Sequence, residues 1–189
     1  MLPAAATVGN ALMAGQCTLV FGVSGVGKTS ACQAYVAAHP GTLFVSASEL
    51  LKAARRSSTE ALRTETADRI IQNQELLSPA LAAFRAGREQ RPILIDAHGV
   101  IDNDEQLVRV PVSTIVMLSP DRLILLEASV EEVAARRAGA ERSRPVRTLE
   151  ALAEEIAAER QMVASYAIAL NVDLVIANLR DGFKLDEIL

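Results

Sequence analysis

The stretch FGVSGVGKTS, residues 21–30, constrains this chain more than any other feature. Gly22, Gly27, Lys28 and Thr29 match the pattern G-x-x-x-x-G-K-[ST] without a mismatch, and the pattern carries weight only between a strand and a helix. Both flanks are present. CTLVFG is a short apolar run ending in glycine, and KTSACQAYVAAHPG reads as a helix stopped by Pro40 and Gly41. In such a loop glycines let backbone N–H groups approach phosphate oxygens, and the helix start adds positive potential. Lys28 reaches the β- and γ-phosphates and Thr29 offers a hydroxyl to Mg²⁺. The expected ATP contacts are therefore Gly22, Gly25, Val26, Gly27, Lys28, Thr29 and Ser30. The chain has three lysines against sixteen arginines, and one of the three stands where the motif demands it.

The rest of the chain alternates apolar runs with helical patterns. TLFVS, PILID, RLILLE and VDLVIA are strand candidates of the continuous kind found where both faces of a parallel sheet are covered. SASELLKAARR, TADRIIQNQELL, SVEEVAARR and TLEALAEEIAAERQMVASYAIAL are helical, with a capping box at Ser129 and Glu132. Ser78 and Pro79 start a new helix or kink a long one. This alternation predicts a doubly wound parallel sheet in a single domain over residues 1–189, with a helical insertion over about 46–91. A net charge of −4 argues against a polyanion-binding surface, so no nucleic acid is expected as a partner. Cys17 and Cys32 lack the spacing of a metal site and read as small buried residues. Residues 1–27 carry no charge, but Pro3, Gly9, Asn10, Gly15, Gln16 and Gly22 interrupt them. They read as an extension and a strand rather than a membrane span, and the expected location is cytoplasmic.

Asp96 ends the strand ILID, where an acid near the metal is expected. Ala97 follows it, where an ATP-driven motor would commonly have a glutamate. DAHG and NLRD are near the two short patterns of a GTP-dependent switch, with Leu179 in place of the lysine that would flank the base. Residues 136–147 hold five arginines and one acid, Glu141, a composition suited to a lid over about 138–147 that closes on transferring phosphates. The helix after it carries an apolar stripe, Leu149, Leu152, Ile156, Val163, Tyr166 and Leu170, interrupted by Glu159 and Arg160. A charge there needs a partner: for Arg160 either a phosphate or an acid such as Glu159 or Asp96. Arg63 and Arg69 are candidates for holding an acceptor's phosphate, and His98 for facing the acceptor; His39 reads as a helix-end residue.

GVSGVGKT, LIDAHGVI, the run VPVSTIVMLSPDRLILLEASVEEVAARR, the arginine-bearing segment and LVIAN together resemble the archaeal-type adenylate kinases, in order over nearly the whole chain after the N-terminal extension. The resemblance implies a P-loop NTPase fold of the nucleoside monophosphate kinase kind: a five-stranded parallel sheet flanked by helices, a helical monophosphate-binding insertion, a short lid, and self-association. It implies Lys28, Arg142, Arg144 and Arg160 as catalytic residues, and Arg137 and Asn178 as further ATP contacts. Ser46, Arg63, Asp96 and His98 become acceptor contacts, and Thr29 and Asp96 the Mg²⁺ positions. The chain departs from the family in DNDEQLVRV, which is acidic and has Arg109 where a lysine and glycines are usual. Transfer of the ATP γ-phosphate to AMP or a related monophosphate is the leading expectation. A kinase of another small acceptor, such as a nucleoside or a phosphorylated metabolite, and a nucleotide-binding switch stand beside it.

Overall fold

A computed structural model of the chain describes residues 12–55, 58–139 and 147–189, the side chain of Glu60 excepted. Strands β1 (Cys17–Phe21), β2 (Leu43–Ser46), β3 (Ile93–Asp96), β6 (Arg122–Glu127) and β7 (Asp173–Asn178) pair in parallel in the order β2-β3-β1-β6-β7. They are the five apolar runs of the sequence. Strand residues alternate between faces, and the alternation divides the interior in two. Leu19 and Phe21 of β1 join Ile93, Ile95, Leu123 and Leu125 in one core. Val20 joins Leu94, Ile124 and Leu126 in the other. Cover is partial for β7, whose Leu174 packs on the first core and whose Val175 and Ala177 pack on the second. It forms a sheet edge, with Asp173, Ile176 and Asn178 exposed and the residues between them half-buried.

Helices α2 (Ala47–Arg55), α5 (Leu77–Arg85) and α6 (Val112–Leu118) close the first core through Leu50, Leu51, Leu77, Leu81, Ile115 and Leu118. Helices α1 (Lys28–Ala38) and α7 (Val130–Ala138) close the second through Cys32, Tyr35 and Val133. The 22-residue α8 (Leu149–Leu170) serves both, with Leu152 in the second core and Val163 and Tyr166 in the first. Thr148 caps it, its hydroxyl accepting from Ala151 N–H at 3.2 Å. Asn171 in the left-handed region ends it. The capping box at Ser129 and Glu132 is present at α7. Both cysteines are buried, and burial pushes the Cys17 thiol up to about 12. No helix among the described residues is long and apolar enough to cross a membrane.

The segment after β2 folds into α2, α3 (Thr59–Arg63), α4 (Ala67–Gln74) and α5, with Pro79 in the first turn of α5. Pro79 thus opens a new helix rather than kinking a long one. Between β3 and α6 the acidic DNDEQLVRV makes a hairpin, β4 (Val100–Asp102) and β5 (Leu107–Arg109), that periodicity does not reveal. Its turn is built by Asn103, whose Oδ1 accepts from the N–H groups of Glu105 and Gln106 at 3.1 and 2.8 Å. The phenol of Tyr166 donates to Val110 O at 2.5 Å, seating the hairpin's return strand on α8.

Gly22 shows how tightly the phosphate loop is tied to this sheet. At φ 143° it lies where L-residues are strained, and a Cβ there would fall 2.4 Å from Leu126 O. Backbone of β6 cannot give way to it. Gly22→Ala is expected to lower stability by roughly 2 kcal/mol or more, read as a shift of the denaturation midpoint. A shift below about 0.5 kcal/mol, the range of a neutral surface change, would contradict the packing.

Candidate functional site

The loop between β1 and α1 opens at the carboxyl edge of the sheet. Lys28, only 4% exposed, begins α1 and donates from Nζ to Gly22 O at 2.6 Å and Val23 O at 3.3 Å. Asp96 Oδ1 lies 3.6 Å from the same nitrogen. Asp96 Oδ2 accepts from the Thr29 hydroxyl at 2.5 Å. The meeting follows from topology: β1 and β3 are parallel neighbours with Val20 opposite Asp96, so both strands end at the same edge. A hydroxyl and a carboxylate side by side are hard oxygen donors of the kind Mg²⁺ takes together with substrate phosphates. No group of three or more His, Cys, Asp or Glu side chains is placed to hold a metal among the described residues. Phosphate oxygens would therefore have to complete such a site.

One face of α8 braces this loop with two acids a turn apart. Glu155 accepts both terminal nitrogens of Arg137 at 2.9 and 2.7 Å, while Arg137 Nε donates to Ser24 O at 2.8 Å. Glu159, 1% exposed, accepts from Gly22 N–H at 3.0 Å and from the N–H groups of Gly99 and Val100 at 2.7–3.0 Å. Burial pushes its carboxyl above the usual range, against the opposing pull of the Lys28 charge and these N–H groups. Arg136 secures the loop from α7, donating to Val26 O at 2.6 Å.

A cleft of about 430 Å³ runs from Gly25, Lys28 and Arg137 to the helices after β2. Its far end has an apolar floor of Leu51, Leu62, Leu77, Val110, Ile115 and Leu118 beneath Ser46, Ser48, Lys52, Thr59, Arg63, His98 and Thr114. Ser46 and Glu49 cap the start of α2, Ser46 Oγ accepting from Glu49 N–H at 3.1 Å and Glu49 Oε2 from Ser46 N–H at 3.2 Å. Arg63 donates to Asp104 at 2.6 and 3.1 Å and to Asp102 O at 2.9 Å. Arg147 forks onto Asp102 at 2.8 and 2.7 Å. Burial alone would raise the Asp102 carboxyl. The hydrogen bonds from Arg147 and Asp104 N–H, with the charges of Arg147 and Arg63, outweigh it and hold the carboxyl below the usual range.

The structure gathers Gly25, Gly27, Lys28, Thr29, Ser30, Ser46, Arg63, Asp96, His98 and Arg137 in this cleft. Gly22 and Val26 lie beneath it: their peptides hold Lys28 and Arg136, and the Val26 side chain is in the core. Asn178 ends β7 outside the cleft lining, although the side chain of the next residue, Leu179, packs over Gly27. Arg160 has an acid as its partner, one of the two kinds that its place in the stripe left open. It does not line the cleft, and its fork is taken by Glu127 at the end of β6, with Nε to Oε1 at 2.8 Å. The residue that interrupts the stripe toward the loop is Glu159; Arg160, one position further round the helix, is 59% exposed. Neither Glu159 nor Asp96, the acids weighed from sequence, is its partner. Arg142 and Arg144, with residues 140–146 of the segment they were assigned to, lie outside the described residues. Lys52 was missed. It lines the cleft and pairs with no carboxylate among the described residues, and the scarcity of lysine was the available signal.

A phosphate loop at the first strand of a parallel sheet ordered β2-β3-β1-β6-β7, with a helical segment walling a second half of the cleft, defines a protein of the P-loop kinase fold. Within that class the chain belongs to the AAA_17 family, described as an AAA domain, whose profile matches residues 21–153. Among solved structures it is similar to shikimate kinase from Bacteroides thetaiotaomicron, at 15% identity and TM-score 0.55 over 90% of this chain and 87% of that one. It is also similar to a sugar kinase from Janibacter sp. HTCC2649, at 18% identity and TM-score 0.52 over 88% and 86%. At these identities the likeness is one of fold. A comparison with curated proteins returns no match.

The Asp102–Arg147 pair gives a pH-dependent expectation. A carboxyl held low by its partners contributes stability above its unfolded pKa and loses it as pH falls through the folded one. Asp102→Asn should therefore destabilise the protein at pH 7, with the gap to the parent narrowing below about pH 4, the ordinary aspartate value. Parallel denaturation curves from pH 7 to pH 3 measure it, and a gap that stays constant would contradict the pairing.

Proposed function

We propose that this chain is an ATP-dependent phosphotransferase that moves the γ-phosphate to a small acceptor, a nucleoside monophosphate such as AMP first among them. The observation that carries this reading is one continuous cleft with two unlike ends. The phosphate loop with Thr29 and Asp96 lies at one end, and an apolar floor beneath polar side chains lies at the other. An oxygen of the acceptor's phosphate forms the new bond to the γ-phosphorus, the bond to the β–γ bridging oxygen breaks, and ADP leaves with that electron pair. The attacking oxygen is already anionic, so no strong base is required, and the protein's task is positioning and charge neutralisation. Lys28 exchanges the Gly22 and Val23 carbonyls for phosphate oxygens, and Arg137, fixed by Glu155, stands beside the loop. Mg²⁺, when bound with ATP, would neutralise charge on the transferring group, with Thr29 and Asp96 the residues to hold it. Arg142 and Arg144 are proposed to close over the phosphates; Arg160 could join them only by leaving Glu127.

A second reading, transfer to a hydroxyl acceptor, is favoured by Arg63, whose fork is already engaged by Asp104 on the hairpin. Purified protein with Mg²⁺·ATP and a panel of monophosphates, nucleosides, sugars and water separates these readings. A phosphorylated monophosphate is the expected product. Free phosphate alone would favour a switch or ATPase and sink the transferase reading. Lys28→Ala should cut transfer per folded molecule more than tenfold, ~1.4 kcal/mol of barrier, and should also lower the melting temperature, because it leaves buried Asp96 and two loop carbonyls without the ammonium.

Lys52 supplies a finer expectation. It is the cleft cation with no carboxylate partner among the described residues, and it sits on the acceptor side with Ser48 and Thr59. Lys52→Ala is expected to raise the acceptor KM about tenfold, the effect of losing one charged contact of roughly 1.5 kcal/mol, with the ATP KM unchanged. Equal changes in both constants would remove Lys52 from acceptor binding.

A further inference from the structure

Glu159 is a buried carboxylate that does not line the cleft. The groups it holds belong to both halves of the cleft. Gly22 opens the phosphate loop, and its own carbonyl accepts from Lys28 Nζ. Gly99 and Val100 follow His98 and start the acceptor-side hairpin. Glu159 Oε1 accepts from Gly22 N–H and Gly99 N–H at 3.0 Å each, and Oε2 from Gly99 N–H at 2.9 Å and Val100 N–H at 2.7 Å. One rigid group thus spans the two walls from behind. A Cβ on Gly99 would meet Met162 Cβ at 3.1 Å and Glu159 Oε2 at 3.3 Å, so the hairpin start also sits hard against α8.

We propose that Glu159 is the positioning residue that sets the spacing between the donor loop and the acceptor wall, and so aligns the γ-phosphate with the attacking atom. The inference rests on the phosphotransferase reading for its chemistry, but not for its geometry. Transfer is steep in alignment: a misplacement of about 1 Å costs on the order of 10²-fold. Every partner of Glu159 in this strut is an N–H donor, and the amide nitrogen of glutamine accepts nothing. Glu159→Gln must therefore give up Gly22 if its nitrogen takes the Oε1 position, or Val100 if it takes the Oε2 position. Glu159→Asp keeps both acceptor oxygens on a shorter stem, so it should restore part of the strut.

The test compares parent, Glu159→Gln and Glu159→Asp with Mg²⁺·ATP, well below their melting temperatures. Two readouts are taken: product partition between transfer and hydrolysis, and amide hydrogen exchange at Gly22, Gly99 and Val100 by NMR. In Glu159→Gln transfer should fall about 10- to 100-fold while the ATP KM stays within about twofold, a range small beside a tenfold change. The hydrolysed share should rise because water replaces a misaligned acceptor. Gly22 or Val100 should lose protection while Leu19 and Ile95 keep theirs, with Glu159→Asp intermediate. A fall in transfer and hydrolysis by the same factor, as from a smaller folded fraction, would overturn the proposal. If the parent phosphorylates no acceptor in the panel, the transferase reading fails separately. Amide exchange then decides the strut: selective loss of protection supports it, and unchanged protection overturns it.

Discussion

Four hydrogen bonds to the carboxylate of Glu159 join three parts of the chain that are 59 to 137 residues apart. A buried charge is tolerated only where enough donors replace the water it has lost, and here backbone N–H groups do so from the end of β1 and from the turn after β3. The rest of the cleft inherits its geometry from this junction. Gly22, held by its N–H, presents its carbonyl to Lys28; Lys28 stands by Asp96; Asp96 receives Thr29. The packing of α8 on both cores holds the carboxylate in place, and the carboxylate in turn holds the loop that begins the site.

The cations that border the cleft are mostly matched to acids of the protein: Lys28 to Asp96, Arg137 to Glu155, Arg63 to Asp104. The pairs differ in weight. Glu155 is buried and Arg137, lining the cleft, forks onto both its oxygens, so removing the arginine alone leaves an uncompensated buried carboxylate, a loss of roughly 3–5 kcal/mol. Arg160 with Glu127 has an exposed guanidinium and contributes about 1 kcal/mol or less. Lys28 is the pair most readily exchanged, because its lysine holds two carbonyls through a flexible stem and phosphate oxygens offer it the same kind of acceptor with more charge.

At the far end of the cleft the wall is assembled from separate pieces. Capping of α2 by Ser46 and Glu49 fixes where that helix leaves the sheet, and Arg63 and Arg147 clamp the hairpin from two directions. The apolar floor is continuous with the first core, so the size of the cleft at this end is set by how α2, α5 and α6 pack on the sheet. A core change at Leu51, Leu77 or Ile115 would reshape it without touching any polar contact.

Local chemistry determined the parts that read directly from the chain. The phosphate loop, its flanking strand and helix, the four further apolar strands and the capping box at Ser129 each follow from patterns within about ten residues of one another. The hairpin was hidden because three-residue strands are too short for periodicity, although DND carried turn chemistry. Glu159 and Arg160 were visible as a break in a stripe, but the sequence could not say which of the two turns inward. That choice depends on the rotation of α8 against the sheet, set by Leu152, Val163 and Tyr166 packing at once in two cores. The partners of Arg160, Arg63 and Arg137, and the place of Lys52 in the cleft, are likewise contacts across long sequence separations. Only the tertiary structure decides them, because a side chain's charge is written in the sequence while its nearest opposite charge depends on how distant elements pack.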